Sequence, residues 1–412
     1  MRISTLQAFN NGVNGIQRNY SNATRTQEQI STGNRILTPA DDPVASVRLL
    51  QLEQQQSVLG QYNSNLTAAK NSLTQEEVTL NSVNTVLHRV RELALQAGNG
   101  ALDPQDRKSI AAELGEREDE LLSLMNTRNA RGEYLFSGFQ GKTQPFTIEN
   151  GNYVYNGDEG QRKLQIASSL SIPISDNGKS IFENVVNAGR LKQEPNLETG
   201  STLSVSAPLI QDELAFAKFP NGGITITFGS DNSYVITPEE VGATDLTGQL
   251  KADSTKTQSI VFRGVVLQLD GSPVEGDMVA IGLKVDDKDG KPNAQKQGIL
   301  NTIANLRKAL EDPSTGNVGV RDAVAVSLTN LDHGMVSVDQ ARGNIGARLN
   351  VIETTQTDNE DVSLINKGVQ AELRELDYAE ALSRLSLQTV ILEAAQQSYV
   401  KISGLSLFNV IR

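Results

Sequence analysis

Residues 52–94 read LEQQQSVLGQYNSNLTAAKNSLTQEEVTLNSVNTVLHRVRELA. Leu52, Gln55, Leu59, Tyr62, Leu66, Ala69, Leu73, Glu76, Leu80, Val83, Leu87, Val90 and Ala94 follow one another in unbroken steps of three and four. A strand would alternate every second residue. Steps of three and four set one stripe on a helix, and a strict seven-residue repeat makes that stripe drift, so the helix must supercoil left-handedly with a partner. Asp42 sits where an N-cap is needed, and Pro43 stands at the first helical position, where a missing amide hydrogen is not used. Gly98-Asn99-Gly100 supplies the stop. The helix therefore runs from about Val44 to Ala97, roughly 80 Å at 1.5 Å per residue. That exceeds what an ordinary globular core needs.

A partner stripe lies far downstream. Val324, Leu328, Leu331, Met335, Val338, Arg342, Ile345, Leu349 and Ile352 again step by four and three, inside a helical run expected from about Pro313–Gly319 to Gly404. Leu59, Leu66, Leu73, Leu80 and Leu87 facing Leu331, Val338, Ile345 and Ile352 form the expected internal seam, with Gln55 and Glu76 as polar register markers opposite the C-terminal helix. Before the long helix, Phe9, Val13, Ile16, Tyr20, Ala23, Gln27 and Ile30 make a shorter stripe closed by Gly33. The linker from Asn34 to Pro43 carries two prolines and must be extended. A helix after Pro104 shows Ile110, Leu114, Leu121 and Leu124 on one face, and another after Ala294 shows Ile299, Ile303, Leu306 and Leu310. Near the C-terminus Leu387, Val390, Ile391, Ala394, Ala395, Ser398, Ile402 and Leu405 form a last stripe.

Between Gly132 and about Asn293 the pattern changes to β-branched and aromatic residues alternating with polar ones. Tyr153–Tyr155, Ile224–Phe228, Ser259–Phe262 and Val265–Leu269 are the clearest strands. Asn-Gly pairs at Asn150, Asn156, Asn177 and Asn221 offer the positive φ of tight hairpins. The fold class is thus mainly α with an inserted β domain: long N- and C-terminal helices paired in a coiled-coil-like rod, and an antiparallel β domain between them. The expected division is terminal helices 1–40 and 365–412, a helical rod 41–137 and 294–364, and a β insert 138–293.

The chain has 412 residues, room for two or three domains, and an apolar share of 38% with 34 glycines besides, which is globular rather than disordered. Forty-nine acidic against thirty-seven basic residues give a net charge of -12, which repels phosphate backbones and sets nucleic acids aside. No cysteine occurs, so disulfides, thiolate metal sites and cysteine nucleophiles drop out together. The first residues lack the apolar core of a secretory signal peptide, and nowhere do eighteen apolar residues run together. Export without a cleaved signal peptide and no membrane span are the expectations.

Enzymatic readings find little material. Asp41 and Asp42 read as helix-start residues rather than an acid/base pair. His88 and His333 stand alone on separate helices, so neither a histidine metal site nor a triad is indicated. Asp286-Asp287-Lys288-Asp289-Gly290 suggests a calcium loop, but counting from the glycine puts Val285 at position one and Lys296 at position twelve, where acids are required. No phosphate loop with a following Lys-Ser or Lys-Thr is present. No catalytic residue, cofactor or metal is expected.

Helices at both ends around a β insert resemble the bacterial flagellin family. Ile30-Ser31-Thr32-Gly33-Asn34-Arg35-Ile36 with Ala40-Asp41-Asp42-Pro43 is similar to that family's junction between first and second helices, and Ile345-Gly346-Ala347-Arg348-Leu349-Asn350 to its C-terminal long helix. Met1–Thr5, Asn126-Thr127-Arg128, the closing Leu405-Ser406-Leu407-Phe408 and the motif that opens the β domain, Gly132, Tyr134, Leu135, Phe136 and Gly138, look like the members that join hook to filament. The likeness covers roughly 1–140 and 294–412. It implies a non-enzymatic axial component of the extracellular flagellum, exported by the flagellar type III route. Its implied partners are neighbouring copies of itself, the other hook-associated junction protein, filament flagellin, and an export chaperone on the C-terminal helices around Leu385–Phe408. Since no compact domain is available to cover the chain ends, Ile3, Leu6, Phe9, Val13, Ile16, Tyr20, Leu392, Tyr399, Ile402, Leu405, Leu407 and Phe408 are the expected subunit contacts, with the ends ordering on assembly. A filament flagellin, or a surface-displayed carbohydrate-binding or hydrolytic domain on a helical stalk, are the alternatives.

Overall fold

The computed structural model describes residues 5–240, 242, 244–251, 257–285 and 294–410, with side chains described for Gln7 and from Phe9 to Lys401 within those ranges. It divides into two compact units, residues 1–66 with 353–412, and residues 67–352. Helices α2 (Pro43–Ala97) and α6 (Gly316–Arg374) contribute to both.

In the first unit, α1 (Thr5–Thr32) ends at Gly33, whose φ of 69° is the left-handed conformation expected of a helix-closing glycine. A side chain there would run into the Tyr378 hydroxyl. Asp42 caps α2 by accepting the Ala45 N–H at 2.9 Å. Asp41 does something else. Its carboxylate accepts the Leu37 and Thr38 amides and the Thr38 hydroxyl and pairs with Arg25, so it folds the linker rather than starting the helix.

The expected helical run does not continue unbroken to Gly404. It stops at Arg374, and α7 (Tyr378–Val410) begins afresh with Asp377 as cap, accepting the Ala379 and Glu380 amides. The cause is the linker. Asn34 and Glu375 form an antiparallel bridge, Arg35 N–H donates to the Arg374 carbonyl at 2.8 Å, and Leu376 N–H to the Gly33 carbonyl at 3.0 Å. An extended segment thereby takes the carbonyls that a continuing helix would use.

The second unit contains a helical bundle and the β insert. Leu73, Leu80, Val83, Leu87, Val90 and Ala94 of α2 are fully buried, as are Val338 and Ile345 of α6, each large side chain contributing about 1.5–3 kcal/mol by leaving water. Asn84 donates to Asp339 and Arg91 to Asp332, so seven residues up one helix match seven down the other. That is an antiparallel heptad pair. Helices α3 (Pro104–Met125) and α5 (Ile299–Glu311) complete the bundle, buried through Ile110, Leu114, Leu121 and Met125 and through Ile299, Ile303, Leu306 and Leu310. Leu124, expected on the α3 face, is only half-buried, and Met125 fills that place.

Beyond α3 the strands are β1 (Phe146–Glu149), β2 (Asn152–Tyr155), β3 (Lys163–Gln165), β4 (Ser171–Pro173), β5 (Leu191–Asn196), β6 (Ser204–Val205), β7 (Leu209–Ile210), β8 (Ile224–Phe228), β9 (Ser233–Pro238), β10 (Leu246–Gln249), β11 (Gln258–Phe262), β12 (Val265–Asp270) and β13 (Met278–Leu283), with a single helical turn α4 (Glu213–Phe216) after β7. A five-stranded antiparallel sheet, in the order β10-β9-β8-β13-β5, shares one core with a sheet of β11, β12, β6 and β7. Ile226, Phe228, Val279 and Ile281 from one face Val205, Ile260, Leu267 and Leu269 from the other. This is a β-sandwich. Two hairpins, β1-β2 and β3-β4, stand outside it.

Of the four Asn-Gly pairs, only Asn150-Gly151 forms a two-residue hairpin turn, with φ of 52° and 79° between paired Glu149 and Asn152. The turn joining β11 and β12 uses Arg263 and Gly264 instead, at φ of 43° and 80°.

Candidate functional site

Three sets of side chains carry what this molecule can do: the helix pair at the chain ends, the seam, and the motif opening the β domain. In the first unit α1 and α7 pack along each other, with Ala23, Thr26, Gln29 and Ala381 buried. Phe9 and Tyr399 meet with ring centroids 5.3 Å apart, and Gly12 lets the Tyr399 ring approach. Val13, Ile16 and Leu392 are half-buried, whereas Tyr20 is exposed. Ile3 and the side chains of Leu6, Ile402, Leu405, Leu407 and Phe408 lie outside the described residues, as do Asp286–Gly290.

The last expected stripe needs correction. The face of α7 turned to α1 carries Ala381, Leu385, Gln388, Leu392, Ala395 and Tyr399, which are buried or half-buried. Leu387, Val390 and Ile391 are exposed by 61%, 60% and 45%, and Leu382 by 55%. The helix thus has two apolar faces and covers one of them.

All nine expected seam residues, Leu59, Leu66, Leu73, Leu80, Leu87, Leu331, Val338, Ile345 and Ile352, are buried. The register markers differ from expectation. Gln55 is exposed, and its neighbour Gln56 makes the cross-helix bond, to Ser363 at 2.6 Å. Glu76 is buried, yet its carboxyl accepts the Asp176 N–H at 3.1 Å, so it holds the loop after β4. Arg348 of α6 grips the Asp176 carboxylate with two bonds of 3.0 Å, and Gln161 donates to it at 2.6 Å. Burial, reinforced by the facing Asp176 charge, pushes the Glu76 carboxyl well above the ordinary range, against the opposing pull of the Asp176 amide and Arg348. The heptad pattern shows that Glu76 interrupts an apolar stripe. It gives no sign of a partner a hundred residues away.

The opening motif is a tight fold-back. Gly132 and Gly138 have φ of 78° and 72°, and Tyr134, Leu135 and Phe136 are buried. Arg128 lies 4.3 Å over the Tyr134 ring and also bonds its hydroxyl. Phe136, Phe182 and Phe146 stack edge to face, at 5.2 and 5.9 Å. Asn126 pairs with the backbone of Phe146 through both ends of its amide, at 3.0 Å each, in place of a neighbouring strand. Asp158 accepts the Phe139 and Gly160 amides, and any side chain at Gly138 would strike it.

His88 is exposed, and His333 faces the Val186 carbonyl at 3.1 Å. Glu118 on α3 binds Arg307 on α5 at 2.9 Å and the Tyr153 hydroxyl at 3.1 Å. Burial alone would raise Asp41, but hydrogen bonds from Thr38 and Leu37 and the charge of Arg25 hold it below the usual range. Glu183, beside Gly298 at the start of α5, is pushed up to about 7 by burial. Among the described residues no three metal-ligating side chains come together, and no helix is long and apolar enough to cross a membrane.

Residues 3–141 match the family model of the bacterial flagellin N-terminal helical region. Flagellar hook-associated protein 3 of Escherichia coli K12 is 35% identical over 185 residues, a match covering 45% of this chain and 58% of that relative's length. Its counterpart in Salmonella typhimurium LT2 is 24% identical over 412 residues, the whole of both chains. The crystal structure of hook-associated protein 3 from Legionella pneumophila superposes with a TM-score of 0.63 at 28% identity, covering 78% of this chain and 98% of that one. The likeness over the whole chain is therefore to hook-associated protein 3 of the bacterial flagellum, and over residues 3–141 to the N-terminal helical region of bacterial flagellins.

Proposed function

We propose that this protein is a structural component of the bacterial flagellum that joins hook to filament, with no catalytic role of its own. The observation that carries the reading is the full-length likeness to hook-associated protein 3, where filament flagellins match at lower identity over comparable lengths, as in the 22% of a Clostridium tyrobutyricum flagellin. The second unit supplies a stiff element, because an antiparallel seam of fully buried leucines resists bending.

Subunit contacts fall to the first unit. Leu382, Leu387, Val390 and Ile391 on α7, with Phe9 and Tyr20 on α1, expose apolar surface that a neighbouring copy would cover, and the terminal helices then act as the assembly region. Before assembly the same α7 face is what an export chaperone would shield. Hook-side and filament-side neighbours, the other hook-associated protein and flagellin, follow from the same position in the flagellum, as does export without a cleaved signal. The β domain would then face outward from the axis.

Deleting residues 386–412 tests this. The β-sandwich keeps its fold, since its core uses none of those residues, while incorporation into flagella and chaperone capture are lost. Motility and localisation at the hook's end that survive the deletion would refute the assembly role. Labelled full-length protein spread along the filament, rather than in one spot at the hook, would favour a filament flagellin.

A further inference from the structure

Seven Asn-Gly pairs occur in the chain, at Asn11, Asn14, Asn99, Asn150, Asn156, Asn177 and Asn221. Asparagine before glycine is open to a self-reaction. The glycine backbone nitrogen attacks the side-chain carbonyl carbon, the C–N bond to the side-chain nitrogen breaks, and that nitrogen leaves as ammonia with the glycine amide proton. Water then opens the resulting succinimide at either carbonyl, giving aspartate or the backbone-lengthened isoaspartate. Asparagine is thermolabile for this reason. The reaction needs an unpaired glycine N–H, a free asparagine amide and open space above the glycine.

The fold separates the seven. Asn177 is blocked at every point: its oxygen accepts the Ser180 N–H at 2.8 Å, its nitrogen donates to the Glu159 carbonyl at 3.2 Å, and the Gly178 N–H donates to the Phe136 carbonyl at 2.8 Å. Asn156 is held by Thr147 at 2.7 Å, and the side-chain oxygen of Asn99 accepts the Ala101 N–H at 3.1 Å. Asn11 and Asn14 lie within α1, where following amides are tied into the helix ladder. Asn221 is exposed without a partner among the described residues, but the Glu239 carbonyl crowds its glycine. At Asn150 both residues are exposed, neither the asparagine amide nor the Gly151 N–H has a partner among the described residues, and nothing lies near the position a side chain on Gly151 would occupy.

We propose that Asn150-Gly151, at the tip of the β1-β2 hairpin, is a site of spontaneous deamidation that loosens this hairpin as the protein ages. The turn has two residues and both need positive φ, so an extra backbone carbon from isoaspartate cannot keep its register. Several bonds depend on that register: Tyr153 exchanges two 2.9 Å bonds with the Asn301 side chain and gives its hydroxyl to Glu118, while Lys308 donates to the Gly151 carbonyl at 3.1 Å. Each ties the hairpin to α3 or α5.

Folded full-length protein is incubated in mildly alkaline buffer beside a sample in denaturant, and both are followed by peptide mapping for a mass gain of about 1 Da and by isoaspartyl methyltransferase labelling. In denaturant all seven sites convert at similar rates. In the folded protein Asn150 converts first, Asn221 after it, and Asn177 at least about tenfold more slowly than Asn150, as expected for a reaction that waits on local opening. Aged protein shows faster amide exchange at Tyr153, whereas Asn150→Asp, which adds the charge but not the extra carbon, does not. Conversion of Asn177 as fast as Asn150, an unreactive Asn150, or equal exchange in Asn150→Asp and aged protein would each overturn the proposal.

Discussion

Replacing Arg348 with methionine removes the one guanidinium that grips Asp176 while keeping the aliphatic stem in the bundle. Arg348 and Asp176 make two bonds of 3.0 Å, with side chains 16% and 8% exposed. Breaking a pair this buried from one side leaves an uncompensated carboxylate, which costs about 3–5 kcal/mol. Here the damage is compounded, because Asp176 then faces the Glu76 carboxyl with no cation gripping it. Asp176→Asn removes the charge as well, so the double substitution is expected to lie about 2 kcal/mol closer to wild type than the sum of the singles, the worth of two charge-assisted bonds beyond their desolvation. Urea unfolding followed by near-ultraviolet dichroism reads this, since Tyr134, Tyr153 and Tyr155 report on the same unit and the chain has no tryptophan. Additive single effects within about 0.5 kcal/mol would refute the view that this pair, rather than apolar packing alone, fastens the β3-β4 segment to the helices.

Glu183 ionises near pH 7 in the fold against 4.5 ordinarily, so the unfolded chain gives up its proton first and stability falls as pH rises between those values. Glu183→Gln should remove about 3 kcal/mol of that fall, seen as flatter urea midpoints from about pH 5 to pH 7; an unchanged slope would place the group in water. Gly138→Ala should destabilise by more than about 2 kcal/mol because a side chain there meets Asp158, while Gly151→Ala, with open space and only the φ penalty, should cost about 1 kcal/mol; equal melting shifts would contradict this. Leu80→Ala, at a fully buried seam position, should lose about 3–5 kcal/mol by the same urea assay, and less than 1 kcal/mol would mean the seam collapses around the gap.

The long helices were readable from sequence because a seven-residue beat over forty-three residues has no other physical solution, and Leu59, Leu66, Leu73, Leu80 and Leu87 are buried on it, with Leu93 the buried leucine that falls off it. The break at Arg374–Tyr378 was not readable, since neither proline nor glycine marks it and its cause is a segment some 340 residues earlier. The same limit hid the partner of Glu76. Periodicity reports which side of a helix is covered and says nothing about by what. On α7 it was ambiguous for a further reason: two apolar faces satisfy the pattern, and only packing selects the one turned to α1. Strand positions were legible from alternation, but turns were not, because Arg263-Gly264 makes a hairpin as well as Asn150-Gly151 does.

The bridge between Asn34 and Glu375 places the end of α1 and the start of α7 under common control. Gly33 and Arg35 hold the backbone on either side of the gap in the C-terminal helices, so neither break can straighten unless the other gives up its hydrogen bonds. A load applied to one chain end is therefore passed to both. The first unit is in this sense a double joint on a single pin, its two breaks held shut by one set of backbone bonds.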